Sequence, residues 1–392
     1  MNSYAIHAGL LFDGRDMCGP TTVHVVDGRI AEVDNTGALP TDGGNVIDLG
    51  SQTCLLPGLI DCHVHLAFNA GPAPVASLGE ADDAELLAQM RKAAHSAVRA
   101  GITTVRDLGD RNYLALKLAE ELKQRPGDGP EVLAAGPPLT TPGGHCYFFG
   151  GEVKGTEALR EAVQERHAHG CAVVKIMASG GNMTPGSAPH ESQYTLADLR
   201  VVVDEAHRLG LPVAAHAHGT AAIADAVEAG VDTIEHVSFL TADGSKPDRA
   251  LLTAIADSSI FVSLTLAADP GVQHTLPPAL AHQVDTMLGA YRDLHKLGAK
   301  LVVGSDAGIG AFKPHDVLPY GISGLEEIGI SPLEALVSAT RLAAAACGVE
   351  DRKGRIEAGA DADFLAVNGN PLEDLARLRD VHAVFRSGIR VR

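Results

Sequence analysis

Basic residues are scarce in this chain, and their scarcity excludes one class of partner. Of the 392 residues, 31 are lysine or arginine and 49 are aspartate or glutamate, which gives a formal net charge of -18. A charge of that sign repels the phosphates of nucleic acid. We therefore expect no nucleic-acid partner.

Long apolar runs are absent as well. Nowhere does the sequence reach the roughly 18 consecutive apolar residues of a membrane-spanning helix, and no basic amphipathic stretch suits a membrane surface. The start, MNSYAIHAGLLFDGRD, has no charged segment followed by a long apolar run. We expect no membrane partner and no export signal, and we predict a cytoplasmic protein.

Paired cysteines are a third absence. The six cysteines are scattered along the chain without a CxxC motif. A chain of this length can bury a large core and does not depend on disulfides. We interpret the cysteines as reduced and mostly packed in the interior.

A repeated helix-to-strand junction organises the middle of the chain. Helix-like segments end at a glycine, and an apolar run follows at once, at Gly101, Gly170, Gly210, Gly230 and Gly298. Glycine suits the left-handed position just past a helix end. Three further runs, near residues 55, 130 and 261, bring the number of predicted strands to eight. Eight apolar strands alternating with helices predict an α/β protein with a (β/α)8 TIM barrel over residues 57–348.

The two chain ends are strand-like instead. Residues 1–56 contain TTVHVVDGRIAEVD, in which Asp27 and Gly28 predict a hairpin turn. Residues 349–392 contain further short strand patterns separated by turn residues. Neither end has enough strands to fold alone, so we predict that both form one small β-sandwich domain beside the barrel.

Potential metal ligands stand at or just beyond the ends of these predicted strands. They are His63, His65, Lys175, His216, His236 and Asp306. Active sites of such barrels lie at the C-terminal strand ends. The two histidines of HVH would share one strand face, because strand side chains alternate. A lone HxH is more often structural, but the joint occurrence on several strands favours a metal site.

Lys175 is placed within VVKIMAS, among residues that belong in a barrel interior. A lone buried ammonium costs several kcal/mol. Three alternatives remain open: an amine that reaches solvent, an amine paired with a carboxylate such as Asp306, and a neutral amine that adds CO2. In the last case the resulting carbamate would bridge two metals.

Taken together, these motifs resemble the amidohydrolase superfamily, and within it the binuclear enzymes with a carboxylated lysine. The resemblance covers essentially the whole chain, and similar subgroups are the prolidase-like dipeptidases, the arginine or lysine carboxypeptidase-like enzymes and the ochratoxin-hydrolysing amidases. It is carried by PGLIDCHVH, the lysine in VVKIMASGG, AAHAHG, the histidine of TIEHV, GSDAG and GRIEAGADADFLAVNGNPLEDL.

The resemblance implies two divalent cations, for which zinc is the most suitable metal, and a CO2-derived carbamate on Lys175 that bridges them. It assigns the remaining ligands as His63, His65 and Asp306 for the first cation, and His216 and His236 for the second. The expected activity is an amidohydrolase that cleaves an amide bond of a dipeptide or N-acyl amino acid-like small-molecule substrate. A metal-bridging hydroxide would attack, with Lys175 and Asp306 as catalytic residues and Asp306 accepting the proton.

Substrate contacts are expected from the loops after the strands. The resemblance implies that a glycine-flanked histidine meets substrate, which here is His145 in TPGGHCYFFGG. His218 would share a face with His216 one layer higher and is the second predicted contact. His190 and Tyr194 are further candidates, with a purely structural role as the alternative.

The loop composition favours an apolar substrate. Segments 66–80, 179–194 and 267–282 contain no Lys or Arg, whereas several aromatic residues lie in or near the predicted loops. A strongly anionic substrate would therefore lack an arginine clamp. Alternative substrates are a carbamate, a lactone or another small xenobiotic or secondary-metabolite amide. Alternative functions are those of a mononuclear deaminase and of a non-catalytic relative. We also expect a homo-oligomer.

Overall fold

The structure is a computed structural model that describes residues 3–39, 45–273 and 283–392. Its strands, in chain order, are β1 (Ser3–Ala8), β2 (Leu10–Phe12), β3 (Met17–Cys18), β4 (Thr21–Val26), β5 (Arg29–Asp34), β6 (Val46–Asp48), β7 (Thr53–Pro57), β8 (Leu59–Val64), β9 (Ile102–Asp107), β10 (Glu131–Ala134), β11 (Val174–Met177), β12 (Val213–Gly219), β13 (Thr233–Thr241), β14 (Gly244–Ser245), β15 (Phe261–Leu264), β16 (Lys300–Val303), β17 (Phe364–Asn368), β18 (Val381–Arg386) and β19 (Ile389–Arg390).

The helices follow the parallel strands in alternation. They are α1 (Pro74–Glu80), α2 (Asp83–Arg99), α3 (Leu114–Gln124), α4 (Thr156–His169), α5 (Leu196–Arg208), α6 (Thr220–Ala229), α7 (Arg249–Asp257), α8 (Val284–Lys296), α9 (Leu318–Gly324), α10 (Pro332–Ser338) and α11 (Arg341–Ala346). Short 3-10 turns lie at Pro126–Asp128, Tyr147–Phe149, Leu325–Ile328 and Leu375–Arg379. Within the described ranges, none of the helices combines the length and apolarity needed to cross a membrane.

All eight apolar runs predicted as strands are strands, and the α/β class is confirmed. They form two parallel sheets with the orders β10-β9-β8 and β11-β12-β13-β15-β16. Isolated parallel bridges join the sheets at both sides, one between Val64 and Ala307 and one between Leu139 and Ile176. The Val64–Ala307 bridge brings the ends of β8 and β16 side by side, which places their C-terminal residues in one region.

The glycine junctions have the predicted backbone conformation. Gly101, Gly170, Gly210, Gly230 and Gly298 all have φ between 75° and 90°. This is the left-handed region in which a side chain would be strained. Each glycine therefore ends a helix and turns the chain into the next parallel strand. The prediction of these junctions from the sequence is confirmed.

Two helices begin at capping boxes, which are signals local to the sequence. Thr195 and Asp198 form a reciprocal capping box at the start of α5, and Ser331 and Glu334 form another at the start of α10. Each side chain accepts a backbone N–H that the helix leaves unpaired. The first box also ends the long loop after β11 at a defined residue.

Strands from the two chain ends share one antiparallel sheet. β17 pairs with β7, with Phe364 opposite Pro57, and β18 extends the same sheet. A second sheet has the order β5-β4-β1-β6, and its β4–β5 hairpin turns at Asp27 and Gly28, both with positive φ. Side chains of Phe364 and of residues in β1 and β4 pack in one buried core between the sheets.

Along β8, apolar and polar side chains alternate between the two faces of the strand. Cys62 packs outward, where its Sγ lies 3.8 Å from Cys347 Sγ, while Asp61 and His63 take the other face. None of the six cysteines forms a disulfide. Because side chains two residues apart share a face, His65 follows His63 towards the C-terminal end of the sheet.

Candidate metal centre

Three predicted ligands meet where β8 and β16 end. Nε2 of His63 lies 3.3 Å from Nε2 of His65, and each of these atoms is 3.5 Å from Asp306 Oδ1. Ligand atoms about 2.0 Å from a tetrahedral zinc are themselves about 3.3 Å apart. The three atoms therefore have nearly the mutual spacing that one shared cation requires.

A second group of donors lies next to the first. One ligand atom from each of His216, His218 and His236 lies within 4.8 Å of the others, and the ring centroids are 4.4 to 4.7 Å apart. His236 also groups with His63 and Asp306 under the same distance. His236 therefore lies close to both groups of donors, and the two groups are adjacent.

Lys175 lies in the same cavity as these imidazoles, with 1% of its surface exposed. Its Nζ has no hydrogen-bond partner in the described part of the chain, and burial lowers the pKa of the amine to about 8. An unpaired buried amine is costly. A carbamate on this nitrogen would add two oxygen donors to the imidazoles and the carboxylate, so the donor set fits two divalent cations.

In several of the predicted ligand histidines, a hydrogen bond to one ring nitrogen determines which nitrogen is left to bind a cation. His63 Nδ1 donates to Glu235 Oε2 at 2.8 Å, and His216 Nε2 donates to the Gly180 carbonyl at 3.0 Å. His236 Nδ1 contacts a threonine hydroxyl at 2.9 Å. Since a neutral imidazole carries one N–H, the lone pairs available to a cation are on Nε2 of His63 and Nδ1 of His216.

Glu235, which accepts the hydrogen bond from His63, also accepts from two other side chains. Glu235 is fully buried, and its second oxygen, Oε1, accepts from Arg106 Nη2 at 3.0 Å and from Thr233 Oγ1 at 2.8 Å. Arg106 also donates to the carbonyl of Cys62 at 2.8 Å. The Arg106–Glu235 pair therefore fixes both the position and the tautomer of the His63 ring.

Replacing Glu235 by glutamine is expected to weaken cation binding by about 10- to 100-fold. Glutamine has nearly the same shape, but its single carbonyl oxygen cannot accept from both His63 and Arg106. Chelator competition measures the affinity, and Glu228→Gln at an exposed surface ion pair is the matched control. An affinity equal to that of the parent protein would contradict the positioning role of Glu235.

Burial controls the charge of the site. It lowers the pKa of His65 to about 3 and of His218 to about 4, and it lowers the pKa of His63 well below its usual value. The imidazoles are therefore neutral near pH 7, which is the form that binds a cation. Burial raises the pKa of Asp306 only to about 6, so its carboxylate is still mostly ionised at that pH.

Two of the predicted ligands have strained backbones. His236 has φ of 73° and Asp306 has φ of 55°, in the left-handed region that non-glycine residues seldom occupy. Such conformations cost on the order of 1–3 kcal/mol each and concentrate at functional sites. The chain bends at His236 within β13 and at Asp306 just past β16, which turns the two side chains towards the other donors.

The donors line a cavity of about 340 Å³, within the size range of small-molecule sites. Its walls are formed by His63, His65, Phe68, His145, Cys146, Lys175, Met177, Asn182, Met183, His216, His218, His236, Thr265, Asp306, Ile309, Phe312 and Lys313. Phe68 is backed by Phe149, with ring centroids 5.4 Å apart. Of the loop predicted at 267–282, residues 274–282 lie outside the described ranges.

The four predicted substrate contacts divide into two pairs. His145 and His218 line the cavity, and His145 Nδ1 has no partner in the described ranges. Gly181 makes room for His145, because a Cβ there would lie 2.4 Å from the imidazole Nε2. Tyr194 donates its hydroxyl to the Val153 carbonyl at 2.9 Å, and neither it nor His190 is part of the cavity wall.

Sequence reasoning missed two buried charged groups at this site. One is the Arg106–Glu235 pair, and the other is Lys313, which lines the cavity with 6% of its surface exposed. None of these three residues was predicted as a ligand. The available signal for Arg106 and Glu235 was a charged residue inside an apolar strand, whereas Lys313 lies in a loop, where lysine is normally exposed.

The sequence and the structure of the chain are similar to those of known proteins. The profile of the amidohydrolase family matches residues 54–391. Ochratoxinase from Aspergillus niger is 29% identical over 363 residues, covering 84% of this chain and 73% of the relative. An uncharacterised Mycobacterium tuberculosis protein is 27% identical over 375 residues, covering 93% and 90%. The crystal structure of a Xaa-Pro dipeptidase with bound methionine superposes with a TM-score of 0.88, 26% identity and 99% coverage of both chains.

Proposed function

Because the chain belongs to the amidohydrolase family, we propose that it cleaves an amide bond of a dipeptide or of an N-acyl amino acid with an apolar part. Its action on carbon–nitrogen bonds follows from the family and from the named hydrolases among its relatives. The observation that carries the finer proposal is Lys175, a buried amine without a partner among four imidazoles and a carboxylate.

The proposed fold is the (β/α)8 barrel with the small β-sandwich beside it, which is supported by the amidohydrolase structures that superpose on the whole chain. In this arrangement His63, His65 and Asp306 would hold one divalent cation, and His216 and His236 the other. The carbamate of Lys175 would bridge them, and zinc suits these ligands. Bound cations would activate a water molecule and polarise the scissile carbonyl.

The side chains of the site have separate tasks in this proposal. Asp306 accepts the proton of the attacking water and delivers it to the leaving nitrogen, because its carboxylate lies among the ligand nitrogens and is ionised near pH 7. His145 offers an unpaired ring nitrogen to a substrate oxygen. Phe68, Phe312 and Met183 exclude water from the apolar part of the substrate.

A screen of metal-loaded protein against dipeptides with acidic, apolar and basic side chains tests the proposal. We expect apolar dipeptides to be cleaved with a kcat/KM about 10- to 100-fold above acidic ones, because an apolar side chain gains that much from burial in the cavity. Metal analysis should find two cations per chain, and the chelated protein is the control. A preference for acidic dipeptides, or one cation per chain at full activity, would overturn this assignment.

A further inference from the structure

Lys313 lies on the cavity wall, between the ends of β15 and β16. Its Nζ donates to the Thr265 carbonyl at 2.8 Å and to the Ser305 carbonyl at 2.7 Å. Ser305 immediately precedes Asp306, and the hydroxyl of Thr265 contacts His236. The ammonium group therefore lies beside the backbone that presents Asp306, on one wall of the cavity.

The ammonium group of Lys313 has no direct ion-pair partner among the described residues, and the buried carboxyl groups of Asp61 and Asp306 act on its charge only from beyond contact distance. In the part of the chain that the structure describes, no carboxylate oxygen forms an ion pair with Lys313, and two carbonyl oxygens are its hydrogen-bond acceptors. An ammonium has three N–H donors, so one of them is unused. A buried cation with a spare donor on a cavity wall is matched by an anionic ligand.

Another buried lysine of the same chain shows what a purely structural ammonium looks like here. Lys353 is 4% exposed and lies within 3.1 Å of the carboxylates of Glu131, Asp361 and Asp363. Its charge is compensated by the protein itself. Lys313 has comparable burial but no direct ion pair with a carboxylate in the described ranges, and it differs further in lining a cavity.

We propose that Lys313 binds a carboxylate on the leaving-group side of the substrate. In an amino-acid leaving group, the α-carboxylate is attached to the carbon that bears the departing nitrogen. A donor next to Asp306 is in the right place for it, because Asp306 delivers the proton to that nitrogen. This inference rests on the proposed function and selects dipeptides and N-acyl amino acids over neutral carbamates, lactones and simple amides.

The test compares a matched pair of substrates, N-acetyl-L-phenylalanine and N-acetyl-L-phenylalaninol, which differ in the carboxylate. We expect the parent protein to prefer the acid by about 10- to 100-fold in kcat/KM, mainly through KM, since a hydrogen bond to a charged group contributes that much. Lys313→Met should bring this ratio close to one, and Lys313→Arg should retain most of it. Lys300→Met, at the exposed start of β16, is the matched control and should leave the ratio unchanged.

Binding of the two products, L-phenylalanine and L-phenylalaninol, is measured by calorimetry on the same proteins. This arm decides the inference even if neither acetylated compound is hydrolysed, a result that would count against the proposed function alone. Selective loss of amino-acid binding in Lys313→Met supports the inference. Equal binding of both products by the parent protein overturns it, as does an equal loss of both in Lys313→Met accompanied by a lower Tm, the signature of a lysine that only joins two strand ends.

Discussion

Turnover is expected to fall by about three orders of magnitude or more when Lys175 is replaced by alanine. A carbamate on Lys175 would supply oxygen ligands for the cations, and without it the activation of water and of the scissile carbonyl would be lost together. Metal-ion effects of this kind contribute several kcal/mol, and each 1.4 kcal/mol corresponds to a factor of ten. The buried amine has no hydrogen-bond partner in the described ranges, so its removal breaks no other polar contact there.

The measurement combines kcat with two further readouts. Metal analysis should show loss of at least one of two cations, and a 13C signal from labelled bicarbonate should be present in the parent protein and absent in the variant. Lys117→Ala, at an exposed position of α3, is the matched control. A purified Lys175→Ala protein with parent-like kcat would show that the amine has no catalytic role.

Replacing Asp306 by asparagine is the second change with a very large expected effect, a loss of about 10²- to 10⁴-fold in kcat. Asparagine keeps the size of the side chain but cannot accept and return a proton. It also removes a negative charge located 3.5 Å from the Nε2 atoms of His63 and His65, so the first cation should bind more weakly.

Metal-saturated assays separate these two effects, because added cation restores occupancy but not the proton acceptor. The expected result is a low kcat that persists at full occupancy. Asp316→Asn, at an exposed position in the same loop, is the matched control. Recovery of parent-like kcat at full occupancy would reduce Asp306 to a ligand without a role in proton transfer.

Much of the local structure could be predicted because it depends on neighbours in the chain. The five glycine junctions, the two capping boxes and the turn at Asp27 and Gly28 follow from backbone conformations that few residue types adopt. The eight strands follow from runs of buried apolar residues. The same alternation that defines a strand places His63 and His65 on one face, so their approach needed no long-range information.

The substrate side of the site was less predictable. Tyr194 turns its hydroxyl to Val153, and His190 stays out of the cavity wall, although both follow β11 as a substrate contact would. Loop side chains are oriented by whichever partners the fold brings near them, and these partners are distant in sequence. Lys313 lies outside the three loop segments whose lack of Lys and Arg favoured an apolar substrate, so its place on the cavity wall was not predicted.

From its own residues the sequence determined the α/β class, the order of its elements and the six side chains that could hold cations, since each of these depends on local periodicity and residue chemistry. Only the tertiary structure decided which atoms meet. It placed Glu235, paired with Arg106, against Nδ1 of His63, it brought Asp306 next to His63 and His65, and it left Lys313 on the cavity wall without a direct ion pair to any described carboxylate. Contacts between residues more than a hundred positions apart arise from how strands and helices pack, and no local pattern encodes them.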